Sequence, residues 1–279
     1  MASRTAAARR RRQKKRTRMR ILVILCLVLV AIATGWLIGI GARLVHDLLH
    51  PDQGIYTIAV DAGHGGTDVG ANGVIQECDM TAQTAELLYQ LLDADPHYRP
   101  CRTRDSYDTT AEPSERVAEA NRRRADLLIS IHGNSAGDET VRGFECYPVT
   151  PGRKYHEKSL RFAQLLAGQM ADAGASLRGT EGIRYAYYVD GQKVIVDGVE
   201  DDTREEDTFT ILEEARCPAV LVEQCFVTSP EDVAQYAGES GCALCADRYY
   251  RAICAYFGTE PYPAPESAAD SGSSAADAP

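Results

Sequence analysis

The chain has 279 residues, 44% of them hydrophobic, enough for one sizeable core with appendages. Its formal net charge of −10 hides a split: ten Lys or Arg and no acid from Arg4 to Arg20, against about 19 basic and 39 acidic residues from Pro51 onward. A basic block could suggest nucleic acid or nuclear import, but placed directly before an apolar run it reads as a membrane topology signal, and no nucleic-acid partner is expected.

That apolar run covers residues 21–42 and carries no charge. As a helix it would span about 33 Å, enough to cross a bilayer. Residues 1–20 are therefore expected to be cytoplasmic, 21–42 to be a single signal-anchor span, and 43–54 to be a tether to an extracytoplasmic domain over 55–258. The small residues Ala31-Ile32-Ala33-Thr34-Gly35 offer the alternative of a cleaved signal peptide and a secreted product. The core of such a signal is usually shorter than this run, which favours the uncleaved anchor.

Within 55–258, Tyr56 to Val60 is β-branched-rich and predicts a buried strand, followed by a Gly-rich loop reaching Asn72-Gly73. Glu77 opens a predicted helix with Ala85, Leu88, Leu91 and Leu92 recurring at three and four, down to Pro96. Pro100 to Arg104 predicts an edge strand, since Pro100 cannot donate to a ladder. Ser114 to Ala125 predicts a helix, Leu127 to Ile131 a strand, Arg142 to Val149 another strand, and Lys158 to Ala173 an amphipathic helix. Residues 180–208 form an acidic insertion in which Ile183 to Val189 and Gln192 to Val196 flank Asp190-Gly191, the signature of a tight hairpin. Ala219 to Val222 predicts a strand. Ser229-Pro230-Glu231-Asp232 reads as a capped helix start, and Cys242 to Phe257 as the last helix. From 259 onward Pro, Ala, Ser, Asp and Gly dominate, and a disordered tail is expected. Alternating strands and helices predict a three-layer α/β domain with a central mixed, mostly parallel sheet.

Three of the predicted strands run into residues able to bind or serve a metal. Ile58-Ala59-Val60 leads to Asp61-Ala62-Gly63-His64-Gly65-Gly66, with Glu77 just beyond. Leu127 to Ile131 ends on His132, and Ala219 to Val222 ends on Glu223. In α/β sheets the loops leaving the carboxyl ends of strands gather on one edge, so His64, Glu77, His132 and Glu223 can meet there. Two imidazoles and a carboxylate are the ligand set of catalytic zinc, which keeps a further position open for water, and another glutamate can act as general base.

These motifs in this order resemble the zinc-dependent N-acetylmuramoyl-L-alanine amidases of the Amidase_3 family. The residues that carry the likeness are Asp61-Ala62-Gly63-His64-Gly65-Gly66, Glu77-Cys78-Asp79, Ser130-Ile131-His132-Gly133-Asn134 and Val222-Glu223, with Thr103-Arg104-Asp105, Arg116 to Asn121 and Ala125-Asp126 between them. The resemblance covers Tyr56 to Phe257. It departs at Ala62, where the family has proline, at Gly133, where alanine is common, and at Gln224-Cys225, which replace Leu-Gly. It implies one Zn²⁺ held by His64, Glu77 and His132, and Glu223 as the catalytic base. It further implies cleavage of the amide between N-acetylmuramic acid and the L-alanine of the stem peptide. Asn134 and Arg142 are candidate substrate contacts, and Asp61 a supporting or turn residue. Peptidoglycan is then the expected partner, with a regulatory protein and a monomeric state as further expectations.

Eight of the nine cysteines lie in 55–258, an even number that permits disulfides; buried free thiols are the equal alternative. Two readings of the insertion stand open as well. One is a solvated decoration. The other is a flap whose tyrosines touch substrate and whose acids, Glu200 to Asp207, restrain activity or meet a basic partner.

Overall fold

The computed structural model describes residues 54–198 and 203–262, all within one compact unit that begins at Gly54. The basic segment, the apolar run 21–42, the acids Glu200 to Asp202 and the tail from 263 lie outside the described residues. Among the described residues no helix is long and apolar enough to cross a membrane.

In chain order the elements are β1 (Tyr56–Ala62), α1 (Glu77–Ala94), β2 (Tyr98–Arg102), α2 (Pro113–Arg122), β3 (Leu127–Asn134), β4 (Glu145–Pro148), α3 (His156–Asp172), β5 (Arg184–Val189), β6 (Gln192–Asp197), α4 (Thr210–Glu213), β7 (Ala219–Phe226), α5 (Pro230–Tyr236) and α6 (Glu239–Phe257). One five-stranded sheet runs β2-β1-β3-β7-β4, with β4 antiparallel to its neighbour and the other pairings parallel. The expected mixed, mostly parallel sheet is present, with β2 at its edge.

Both faces of the sheet are covered, which is why its strands read as continuous apolar runs. Alternate residues Ile58, Val60, Ile129, Val220 and Val222 meet Leu88 of α1, Phe162 and Leu166 of α3, and Tyr249 and Ile253 of α6. The residues between them, Ala59, Leu128, Ala219 and Leu221, meet Val117 and Ala120 of α2, Ile211 and Leu212 of α4, and Ala186 of β5. Truncating a wholly buried member such as Leu88 to Ala costs about 2–5 kcal/mol. α2 is held at its start by a reciprocal capping box between Glu112 and Glu115, and α5 by the Ser229 hydroxyl, which accepts from the Asp232 N–H.

Several expectations change. β2 lies two residues earlier than predicted. β4 is shorter than Arg142–Val149, because Gly143 sits at φ +116° and the Phe144 backbone bonds to Ser176 and Arg178 instead of to β7. The hairpin forms with Asp190-Gly191 at its turn, but β5 is not a solvated decoration: Ile183, Tyr185, Ala186 and Tyr187 are buried. Tyr185 and Tyr187 are therefore core side chains, and Tyr188 is the exposed tyrosine of the strand. The eight cysteines of the described residues are free thiols, seven of them buried. Cys146 lies against the Gly182 carbonyl and Cys242 against that of Ala237, each packed as a small apolar group with a weak donor.

Candidate active site

β1, β3 and β7 all end at one edge of the sheet, and the register places His132 directly beside Glu223. On the far side of β7, Glu145 of β4 is the cross-strand partner of Glu223. A register shift between His132 and Asn134 bulges β3 at Gly133, where an added Cβ would press into Met80 and Val227. Beyond β1, His64 takes a left-handed backbone, φ +62°, between glycines. Such strain in a residue with a Cβ is characteristic of ligand positions held by their surroundings. Gly63 lets the loop lie against the other imidazole, since a Cβ there would come within 2.4 Å of His132.

Glu77, the first residue of α1, stands between the two histidines. Its Oε1 is 3.2 Å from His64 Nε2 and 3.1 Å from His132 Nδ1, and accepts the Gly133 N–H at 2.9 Å. Its Oε2 accepts the Ala71 N–H at 2.9 Å. One donor atom from each of His64, Glu77 and His132 lies within 4.8 Å of the others, the one such trio among the described residues. Asp68 Oδ2 lies 2.8 Å from His64 Nδ1, which fixes the ring and leaves Nε2 as the ligating nitrogen. Burial opposes ionisation of Glu77, yet its bonds to His132 and His64 outweigh that and hold it well below the usual carboxylate range. Burial likewise opposes protonation of His64, and the Glu77 and Asp68 carboxylates overcome it to raise its pKa.

Glu223 is different. Burial, then the neighbouring charges of Glu77 and Glu145, push its pKa well above the ordinary value, with Lys193 pulling weakly the other way. Its Oε2 is buried without a hydrogen-bond donor. An acceptor left unpaired beside two other acids marks a site that a cation complements. Two imidazoles, one carboxylate and a further carboxyl group alongside without a donor fit a catalytic zinc centre, in which the three ligands would hold the ion and the fourth group would act as base.

Sequence reasoning missed Glu145. It is wholly buried, and its oxygens accept from Asn134 Nδ2 at 2.7 Å, the Tyr147 hydroxyl at 2.7 Å, Arg178 Nε at 2.8 Å and an Arg184 terminal nitrogen at 2.9 Å. A lone acid between Phe144 and Cys146 in a predicted strand was the available signal. Asp61 is a buried hub instead of a ligand: Thr103 and Ser130 hydroxyls bond it at 2.5 and 2.6 Å, and Arg116 pairs with it at 2.5 Å. Of the two expected substrate contacts, Asn134 is drawn into the Glu145 network, while Arg142 reaches outward to pair with Glu231. The departures from the family pattern fit the core. Gln224 donates to the Tyr236 carbonyl at 2.7 Å, and Cys225 lies 3.6 Å from the Met80 sulfur.

The N-acetylmuramoyl-L-alanine amidase family model, Amidase_3, matches residues 58–255. The chain belongs to this family. The Escherichia coli N-acetylmuramoyl-L-alanine amidase AmiC is 25% identical over 194 residues, covering 63% of this chain and 46% of the relative. The chain thus spans less than half the length of that amidase. Among solved structures, the catalytic domain of the amidase CwlV from Bacillus (Paenibacillus) polymyxa var. colistinus superposes with a TM-score of 0.59 at 26% identity, over 74% of this chain and 100% of that one. An N-acetylmuramoyl-L-alanine amidase from Clostridium difficile 630 gives 0.60 at 25%, over 74% and 98%. The Amidase_3 match starts at Ile58 in β1 and ends within α6, so it takes in both histidines and both glutamates.

Proposed function

We propose that the protein is a zinc-dependent peptidoglycan hydrolase that cleaves the amide between N-acetylmuramic acid and the L-alanine of the stem peptide. The observation that carries this reading is the meeting of His64, Glu77 and His132 beside Glu223, whose buried Oε2 has no donor. Zinc held by those three side chains supplies a Lewis acid for the scissile carbonyl and for the attacking water. Asp68 keeps the His64 ring oriented, and the Ala71 and Gly133 N–H groups fix Glu77 so that it presents Oε1 to both imidazoles. Glu223 takes the proton of the water on its carboxylate and returns it to the nitrogen of the departing L-alanine, so that an acid and an amine leave. Its crowding by Glu77 and Glu145 makes it a stronger base than a solvated glutamate. Asn134, on the strand end after His132, and Arg142, before β4, are the proposed substrate contacts.

Cell-wall remodelling, whether in division, sporulation or germination, is the setting that fits this activity. The basic segment and apolar run support an extracytoplasmic domain tethered to the cell membrane, where that polymer lies. The test is to digest purified cell wall and identify the new termini. Free N-terminal L-alanine is the expected product, whereas new reducing sugars or other amino termini would assign a different bond.

A further inference from the structure

β5 and β6 present two faces. One carries Tyr185 and Tyr187 into the core. The other aligns Arg184, Ala186 and Tyr188 of β5 with Asp197, Ile195 and Lys193 of β6. The first members of this second face fix where it points. Arg184 pairs with Glu145, the cross-strand partner of Glu223, and Ala186 is buried in the same cluster as Tyr147 and Leu221 beneath the catalytic edge. From that floor the face continues outward to Tyr188, Ile195 and Lys193. Tyr188 and Ile195 are 41% and 40% exposed, on a hairpin whose first strand is seated on the domain and whose second strand, β6, lies open to solvent. Tyr188 meets Phe209 edge-on at 6.3 Å, and the Lys193 ammonium stands 5.7 Å from the same ring. A bond from the Tyr188 N–H to the Asp207 carbonyl, 2.9 Å, locks the strand in place.

Lys193 is one of three lysines after residue 51, in a domain rich in acids. Even so, among the described residues no carboxylate lies within ion-pair distance of it. An ammonium held only against an aromatic ring among the described residues, on the face whose inner end pairs with Glu145 beside Glu223, can meet an anion brought by the substrate.

We propose that this hairpin face is a wall of the substrate cleft, with Lys193 binding a carboxylate of the stem peptide and Tyr188 and Phe209 packing against the apolar atoms next to it. The inference rests on the amidase reading for the position of the scissile bond. It assigns the insertion a part in choosing substrate: stems with free carboxylates over stems whose carboxylates are amidated.

The test uses the zinc-loaded full chain in detergent with two soluble N-acetylmuramoyl peptides, one with free side carboxylates and one with those groups amidated. Lys193→Gln is expected to lower kcat/KM about tenfold on the free acid, mostly through KM, and to leave the amidated peptide within about twofold. Lys193→Arg should keep the preference. A second measurement is independent of turnover: calorimetric binding of both peptides to Glu223→Gln, with and without Lys193→Gln. The same selective tenfold weakening is expected there. Equal effects on the two peptides, or none, would overturn the proposal. Selective binding without amide cleavage would instead remove the amidase reading and leave the carboxylate site standing.

Discussion

Replacing Glu223 by glutamine separates activity from stability at one atom. The side chain keeps its shape, but the amide cannot accept the proton, so turnover should fall about 10²–10⁴-fold. Zinc content should not change, because Glu223 lies outside the trio that holds the ion. Stability should move the other way in the metal-free protein. Glu223 is raised in pKa by burial and by Glu77 and Glu145, so the folded state binds its proton more tightly than the unfolded chain does. Below the ordinary value of 4.5 both states are protonated and the group is neutral to stability. As pH climbs above that value the unfolded state ionises first, and the fold loses stability until the raised pKa is passed. Glutamine removes this penalty, about 1–3 kcal/mol for a buried charged oxygen without a donor. At about 2–4 °C per kcal/mol for a domain of this size, the chelated variant should melt several degrees above wild type at pH 7 and level with it at pH 4. Thermal denaturation by circular dichroism across that range, in chelator, reads both limits. A Glu223→Gln protein that melts lower than wild type at pH 7, or that turns over at the wild-type rate, would refute the reasoning.

His64→Ala, Glu77→Ala and His132→Ala should each lower zinc content in elemental analysis of pure protein, and full occupancy in any one would take that residue out of the ligand set. Gly63→Ala should do the same with the fold retained, because its Cβ would displace the His132 ring; unchanged occupancy with a native far-ultraviolet spectrum would show that the loop can yield. Asp61→Ala leaves buried Arg116 without its counter-charge and should cost about 3–5 kcal/mol in urea unfolding, a loss below 1 kcal/mol marking the pair as replaceable. Alkylation of the native protein under non-reducing conditions should label Cys78 first. Burial pushes the Cys101 thiol up to about 11 and Cys217 up to about 12, and all eight domain thiols should label after denaturation. Mass spectrometry finding linked pairs would overturn the free-thiol assignment.

Much of this was legible from residues alone, for stated reasons. Strands buried on both faces write unbroken apolar runs, so β1, β3 and β7 and the residues at their ends could be named, and with them His64, His132 and Glu223. Glu77 could be named because it opens a helix whose three-and-four repeat is plain. What stayed hidden depends on contacts across the chain. Glu145 owes its role to arginines 33 and 39 residues away, and no local pattern announces such a network. The hairpin turn was visible in Asp190-Gly191, but alternation cannot say which face is covered; Ala186 is buried in a cluster with Tyr147 of β4, while Tyr185 is covered by His156 of α3 and Tyr187 by Arg204. Cysteine count permitted disulfides, and the fold instead spent the thiols in separate apolar contacts. Strand limits slipped at β2, which begins before Pro100 and runs through it, and at β4, where the positive-φ Gly143 delays the ladder to Glu145.

Zinc titrated back into chelated wild-type protein, with release of N-terminal L-alanine from cell wall followed at each addition, tests the central claim most directly. Activity should be absent without metal, rise in proportion to added zinc and reach its plateau at one ion per chain. Full activity in the metal-free protein, or a plateau at another stoichiometry, would contradict the assignment of one zinc to His64, Glu77 and His132.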